Sequence, residues 1–85
     1  MNEFCIKNDD GILIGSNIKR IREQKQLKPR DLVREVHLRG VDINVFSLSK
    51  IEANTQHVKA SQFRAIAEVL DVDYSELLKK PDETR

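Results

Sequence analysis

Residues 44 to 54, Asn44-Val45-Phe46-Ser47-Leu48-Ser49-Lys50-Ile51-Glu52-Ala53-Asn54, constrain the fold more than any other stretch of this chain. They read as a short helix with two unlike faces. Leu48 and Ile51 are three residues apart and mark a buried side. Val45, three residues before Leu48, is a candidate extension of that side. Phe46, Ser47, Ser49 and Lys50 lie away from it. Asn44 is suited to cap the helix, because its side-chain oxygen can accept a bond from an unpaired first-turn amide. Asn54 is suited to the left-handed residue that often ends one. A helix this short cannot stand alone in water, so other elements must hold it.

Those elements are visible as apolar stripes. Ile14, Ile18 and Ile21 give an i, i+4, i+7 stripe for a helix from Ser16 or Asn17 to about Gln26. A second helix begins near Pro29, whose fixed φ suits the first helical position, and ends near Leu38 before Gly40. Leu32, Val33 and Val36 are its apolar face. Residues 39–43 form a linker in which Val41 and Ile43 turn inward. After the 44–53 helix, residues 55–59 form a polar connection anchored by Val58. A fourth helix spans Ala60 to Leu70, with Phe63, Ile66, Ala67 and Leu70 on one side. A fifth follows Asp73, with Glu76 in capping-box position and Leu77 and Leu78 docking it. Pro81 stops it, and residues 82–85 are expected to fray.

Five short helices in 85 residues predict one all-α bundle, with residues 15–80 as its body and 81–85 as a tail. Residues 1–14 stand apart. Phe4-Cys5-Ile6 and Ile12-Leu13-Ile14 flank the turn signal Asn8-Asp9-Asp10-Gly11, so a short hairpin is one reading. An arm packed on the domain or on a second subunit is another, and a disordered leader a third.

Composition excludes several classes. No apolar run exceeds three residues, as in Ile12-Leu13-Ile14, which is too short for a membrane span or a signal segment and favours the cytoplasm. Cys5 is the only cysteine, so neither an internal disulfide nor a cysteine-rich metal site can form. His37 and His57 are far apart and have no carboxylate at ligand spacing; they read as structural or surface histidines. Ser47 and Ser49 have no evident base. Gly11 and Gly15 make no phosphate loop, and Glu68, Asp71, Asp73 and Glu76 lack calcium-loop spacing. No catalytic constellation emerges, and no cofactor or metal is expected.

The net charge of +1 hides an asymmetry. Residues 15–50 hold nine basic residues against four acidic ones, a net +5, while residues 1–14 and 51–85 each sum to −2. A basic middle can face phosphates. It can equally be a solvated helix surface laced with i,i+4 charges such as Arg30–Arg34 beside Asp31–Glu35. A compact helix presenting small polar and basic groups outward suits the major groove of DNA.

The residues Ile18-Lys19-Arg20-Ile21-Arg22-Glu23, Leu32-Val33, Leu48-Ser49-Lys50-Ile51-Glu52 and Phe63-Arg64-Ala65-Ile66-Ala67-Glu68-Val69-Leu70-Asp71-Val72 together resemble the Cro/C1-type helix-turn-helix family of bacterial and phage regulators, over about residues 14–80. The resemblance implies a five-helix, lambda-repressor-like bundle whose second and third helices bind DNA, with 44–53 as the recognition helix. It implies a homodimer with paired recognition helices about one turn of DNA apart, and a repressor rather than an activator. It also implies an ion pair between Arg22 and Glu52 that ties the first helix to the third. Asn44, Val45, Phe46, Ser47 and Lys50 occupy groove-facing positions. Lys28, Arg30, Thr55, Gln56 and His57 fall where backbone contacts are expected.

The chain departs from the family pattern in three places. The interval from Leu32 to Ile51 is longer than in compact members, with the surplus around His37 to Val41. Pro29 replaces a glutamine that commonly contacts phosphate, and proline has no polar side chain or amide proton to offer. Val45 and Phe46 replace residues that are usually polar. Apolar groups can touch a thymine methyl, or they can pack into the linker or meet a protein. A protein-interaction module, such as an antitoxin or an anti-repressor partner, is therefore the rival reading. With no sensor domain evident, a signal is expected to act through a partner, through concentration or through competition for the site. Helix 5 and the N-terminal Phe4, Ile6, Ile12 and Ile14 are the candidate subunit contacts.

Overall fold

The computed structural model of the protein describes Cys5–Ile6 and residues 13–80. The readings that concern Phe4, Ile12, the 8–11 turn and the tail from Pro81 lie outside the described residues. Five helices follow one another: α1 (Ile14–Gln24), α2 (Pro29–Leu38), α3 (Val45–Glu52), α4 (Ala60–Leu70) and α5 (Tyr74–Leu77). A two-residue strand β1 (Cys5–Ile6) pairs antiparallel with β2 (Val58–Lys59), with Ile6 opposite Val58. The architecture is an all-α bundle of five short helices with one two-residue strand pairing.

The core draws on every helix. Ile14, Ile18 and Ile21 of α1, Leu32, Val33 and Val36 of α2, Leu48 and Ile51 of α3, Phe63, Ile66 and Leu70 of α4 and Leu77 of α5 are all buried. Ile43 and Val58 join them from the connections, and Val41 packs against the edge. The apolar spacing predicts the inner faces of α1, α2 and α4, and in α3 the Leu48–Ile51 pair. Three buried polar residues complete the frame. Asn17 Nδ2 donates to the carbonyls of Leu77 and Lys79, both at 2.8 Å, and pins the end of α5 to α1. Gln62 Nε2 donates to the Asp42 carbonyl, while its oxygen accepts the Lys59 amide at the start of α4. Arg22 is described below.

Four expectations change. First, no hairpin forms with residues 13–14: Leu13 caps α1, Ile14 opens it, and β1 pairs with β2 from the far side of the sequence. Second, α1 starts at Ile14 rather than at Ser16 or Asn17, and it ends at Gln24 rather than Gln26, which takes a left-handed φ of 58°. Third, Asp73 caps α5 without a side-chain bond; only its carbonyl is engaged, by Glu76 N. Fourth, Leu78 is 40% exposed, so of the two leucines only Leu77 is buried. The Phe63 and Tyr74 rings, 5.3 Å apart, supply further α4–α5 packing.

Candidate nucleic-acid interface

The α3 helix is built from its caps inward. Asn44 is extended (φ −129°, ψ 169°), and its Oδ1 accepts the Ser47 amide at 2.7 Å. At the other end Asn54 takes φ 62°, and Thr55 N and Oγ1 both donate to the Lys50 carbonyl. Leu48 and Ile51 drive the inner face into the groove between α1 and α2. Asn44, Phe46, Ser49 and Lys50 are exposed and Ser47 is half-buried. Val45, the first residue of α3, does not extend the inner face: it is 44% exposed, whereas Leu48 and Ile51 are buried.

Two contacts set the pose of α3. The Arg22 guanidinium meets the Glu52 carboxylate edge-on, with Nε to Oε2 at 2.7 Å and Nη2 to Oε1 at 3.0 Å. Its remaining Nη1 donates to the Leu27 carbonyl at 2.7 Å. One side chain thus joins α1, the end of α3 and the turn that leads into Lys28 and Pro29. Both side chains are 8% exposed. The bonds to Glu52 raise the Arg22 pKa above its ordinary value; burial opposes this, and the charges of Glu52 and then Glu23 add to it. The second contact is Asn54, whose Oδ1 accepts the Gly15 amide at 3.1 Å and whose Nδ2 donates to Ser16 Oγ at 2.8 Å. Asn54 satisfies an unpaired donor of α1 from 39 residues away. Its left-handed backbone is legible in the sequence; this bridge is not.

The outward side chains form a mixed surface. Lys50 Nζ lies 4.4 Å from the centroid of the Phe46 ring, one helical turn away. Phe46 itself is 69% exposed. Lys28, Arg30, Thr55 and His57 are exposed, and Gln56 is half-buried. At the start of α2, Asp31 accepts the Lys28 amide, and Pro29 occupies the first turn. The longer α2–α3 linker is closed by His37, whose Nε2 meets the backbone of Ile43.

A family model described as a helix-turn-helix domain matches residues 15–83. The chain belongs to the helix-turn-helix domain family. Membership supports a DNA-binding regulator, the role in which such a pair of helices engages a duplex. No match was found among curated proteins or among solved structures. Among the described residues no helix is long and apolar enough to cross a membrane.

Proposed function

We propose that the protein is a sequence-specific transcriptional regulator, acting as a repressor, that lays the outer face of α3 in the major groove. The observation that carries this reading is the division of α3. Leu48 and Ile51 are almost wholly buried, while Asn44, Val45, Phe46 and Lys50 face outward on a helix capped at both ends. In this reading Asn44, Ser47 and Lys50 offer polar groups to base edges and phosphates. Asn44 spends its oxygen on the cap and keeps its Nδ2 donor. Lys28, Arg30, Thr55, Gln56 and His57 lie along the flanking phosphates, and residues 15–80 form the functional domain. The net +5 of residues 15–50 supplies the attraction. The functional form is a homodimer on two half-sites, joined through α5 and its exposed Tyr74 and Leu78 or through the N-terminal arm. The reading carries a cytoplasmic location with it.

Selection of bound sequences from a random duplex library tests it. A recovered motif, repeated at a spacing of about one helical turn, is the expected result. Binding with steep salt dependence but no motif would reduce the protein to a phosphate binder. Capture of a protein through Val45 and Phe46, with no duplex binding, would replace the regulator reading with the interaction module.

A further inference from the structure

Phe46 is the anomaly of the α3 surface. It is a large apolar side chain, 69% exposed, next to the half-exposed Val45 on a helix whose other outward residues are polar. It is also not alone: the Lys50 ammonium rests 4.4 Å from its ring centroid. The contact joins the two side chains, because the ring face attracts the cation while the helix spaces them one turn apart. An ammonium has three donors, and a cation over a ring still presents donors on its outer side.

We propose, resting on the major-groove reading above, that Phe46 and Lys50 act as a single reader of a guanine adjacent to a pyrimidine that carries a 5-methyl group. The chemistry of the groove selects both parts. Guanine offers O6 and N7 as paired acceptors to a lysine, and the thymine methyl is an apolar projection of the groove floor that an aromatic ring can cover. The separation also matches. Successive bases rise by about 3.4 Å, comparable to the 4.4 Å between ammonium and ring centroid. With the pair aligned along the groove, the two groups reach neighbouring base pairs. Because the ring reads the methyl and not the rest of the base, 5-methylcytosine satisfies it as thymine does, whereas unmodified cytosine and uracil do not.

The test uses the full chain and the duplex recovered by selection. Each thymidine is replaced in turn by deoxyuridine, which removes the methyl and leaves the base pairing intact. Each guanine is replaced by 7-deazaguanine, which removes the N7 acceptor. Wild type should lose about fourfold in affinity at one thymidine per half-site, the worth of one buried methyl. Phe46→Ala should show no loss at that thymidine. The adjacent guanine should be sensitive to 7-deaza substitution in wild type and insensitive in Lys50→Ala. Replacing the sensitive thymine by 5-methylcytosine, with its partner changed to guanine, should bind better than the unmethylated cytosine by a similar factor, in wild type only. The exposure of Phe46 leaves the core untouched by its loss, and a thermal melt of Phe46→Ala matching wild type accompanies the titration. A duplex with no uridine-sensitive thymidine, or equal sensitivity in Phe46→Ala, overturns this inference and leaves the regulator reading standing. Failure to select any duplex overturns both.

Discussion

Gly15 stands so close to Ile51 that a Cβ at position 15 would lie 1.7 Å from the Ile51 carbonyl oxygen. The contact lets the first turn of α1 lie directly on the backbone of α3. The same approach brings the Gly15 amide within reach of Asn54. The orientation of α3 thus depends on a missing side chain as much as on the buried Leu48 and Ile51.

Gly15→Ala should therefore be costly although alanine is the better helix former. The methyl cannot enter without separating α1 from α3, and overpacking of this kind costs about 1–3 kcal/mol or more. Gly40→Ala is the control. Gly40 has φ 78° and open space around the added carbon, so only the left-handed backbone is penalised, by about 1 kcal/mol. Denaturant melts of the two variants should separate them, with Gly15→Ala the less stable. Equal midpoints would show that α1 and α3 do not touch in this way.

Glu52→Ala should destabilise the fold by about 3 kcal/mol, because it strands the buried Arg22 cation with only the Leu27 carbonyl as a partner. Replacing both residues, Arg22→Met with Glu52→Leu, should cost less than the single change, since no charge is then left unpaired. The pH dependence has a definite sign. A raised Arg22 pKa means that its contribution is complete below the ordinary arginine range and fades only as pH climbs past the raised value. Arg22 therefore adds no slope to stability across neutral pH. A double variant less stable than Glu52→Ala would contradict the account of the pair.

Local chemistry made much of this legible in the sequence. The Asn44 cap, the left-handed Asn54, Pro29 at the head of α2 and the bounds of α4 depend on residues within a turn or two, and each appears as read. The misses are long-range or lack a pattern. The early start of α1 depends on Asn54, and the β1–β2 pairing joins segments more than fifty residues apart. Asn17 and Gln62 look like surface residues until their backbone partners are known. Val45 fits the apolar spacing of Leu48 but sits at the first helical position and stays half-exposed. For the interface, the apolar anchors and the outward residues of α3 can be read from spacing. The Phe46–Lys50 stacking needs side-chain positions.

Lys28→Ala and Arg30→Ala should each weaken binding to all duplexes alike and lower the slope of log affinity against log salt by about one. Neither residue contributes to the core, so melts should be little changed. Titrations at several salt concentrations, on the selected duplex and on a scrambled one, measure this. A change in sequence preference in either variant would move that residue from the phosphates to the bases.

The most direct test of the central claim, that the outer face of α3 meets base edges, is an isotope-filtered nuclear Overhauser spectrum of labelled protein on its selected duplex. Contacts are expected from Val45, Phe46 and Lys50 side-chain protons to thymine methyl and other major-groove base protons. Leu48 and Ile51 should keep their intramolecular contacts alone. A bound complex in which α3 shows no contact to any base proton would contradict that claim.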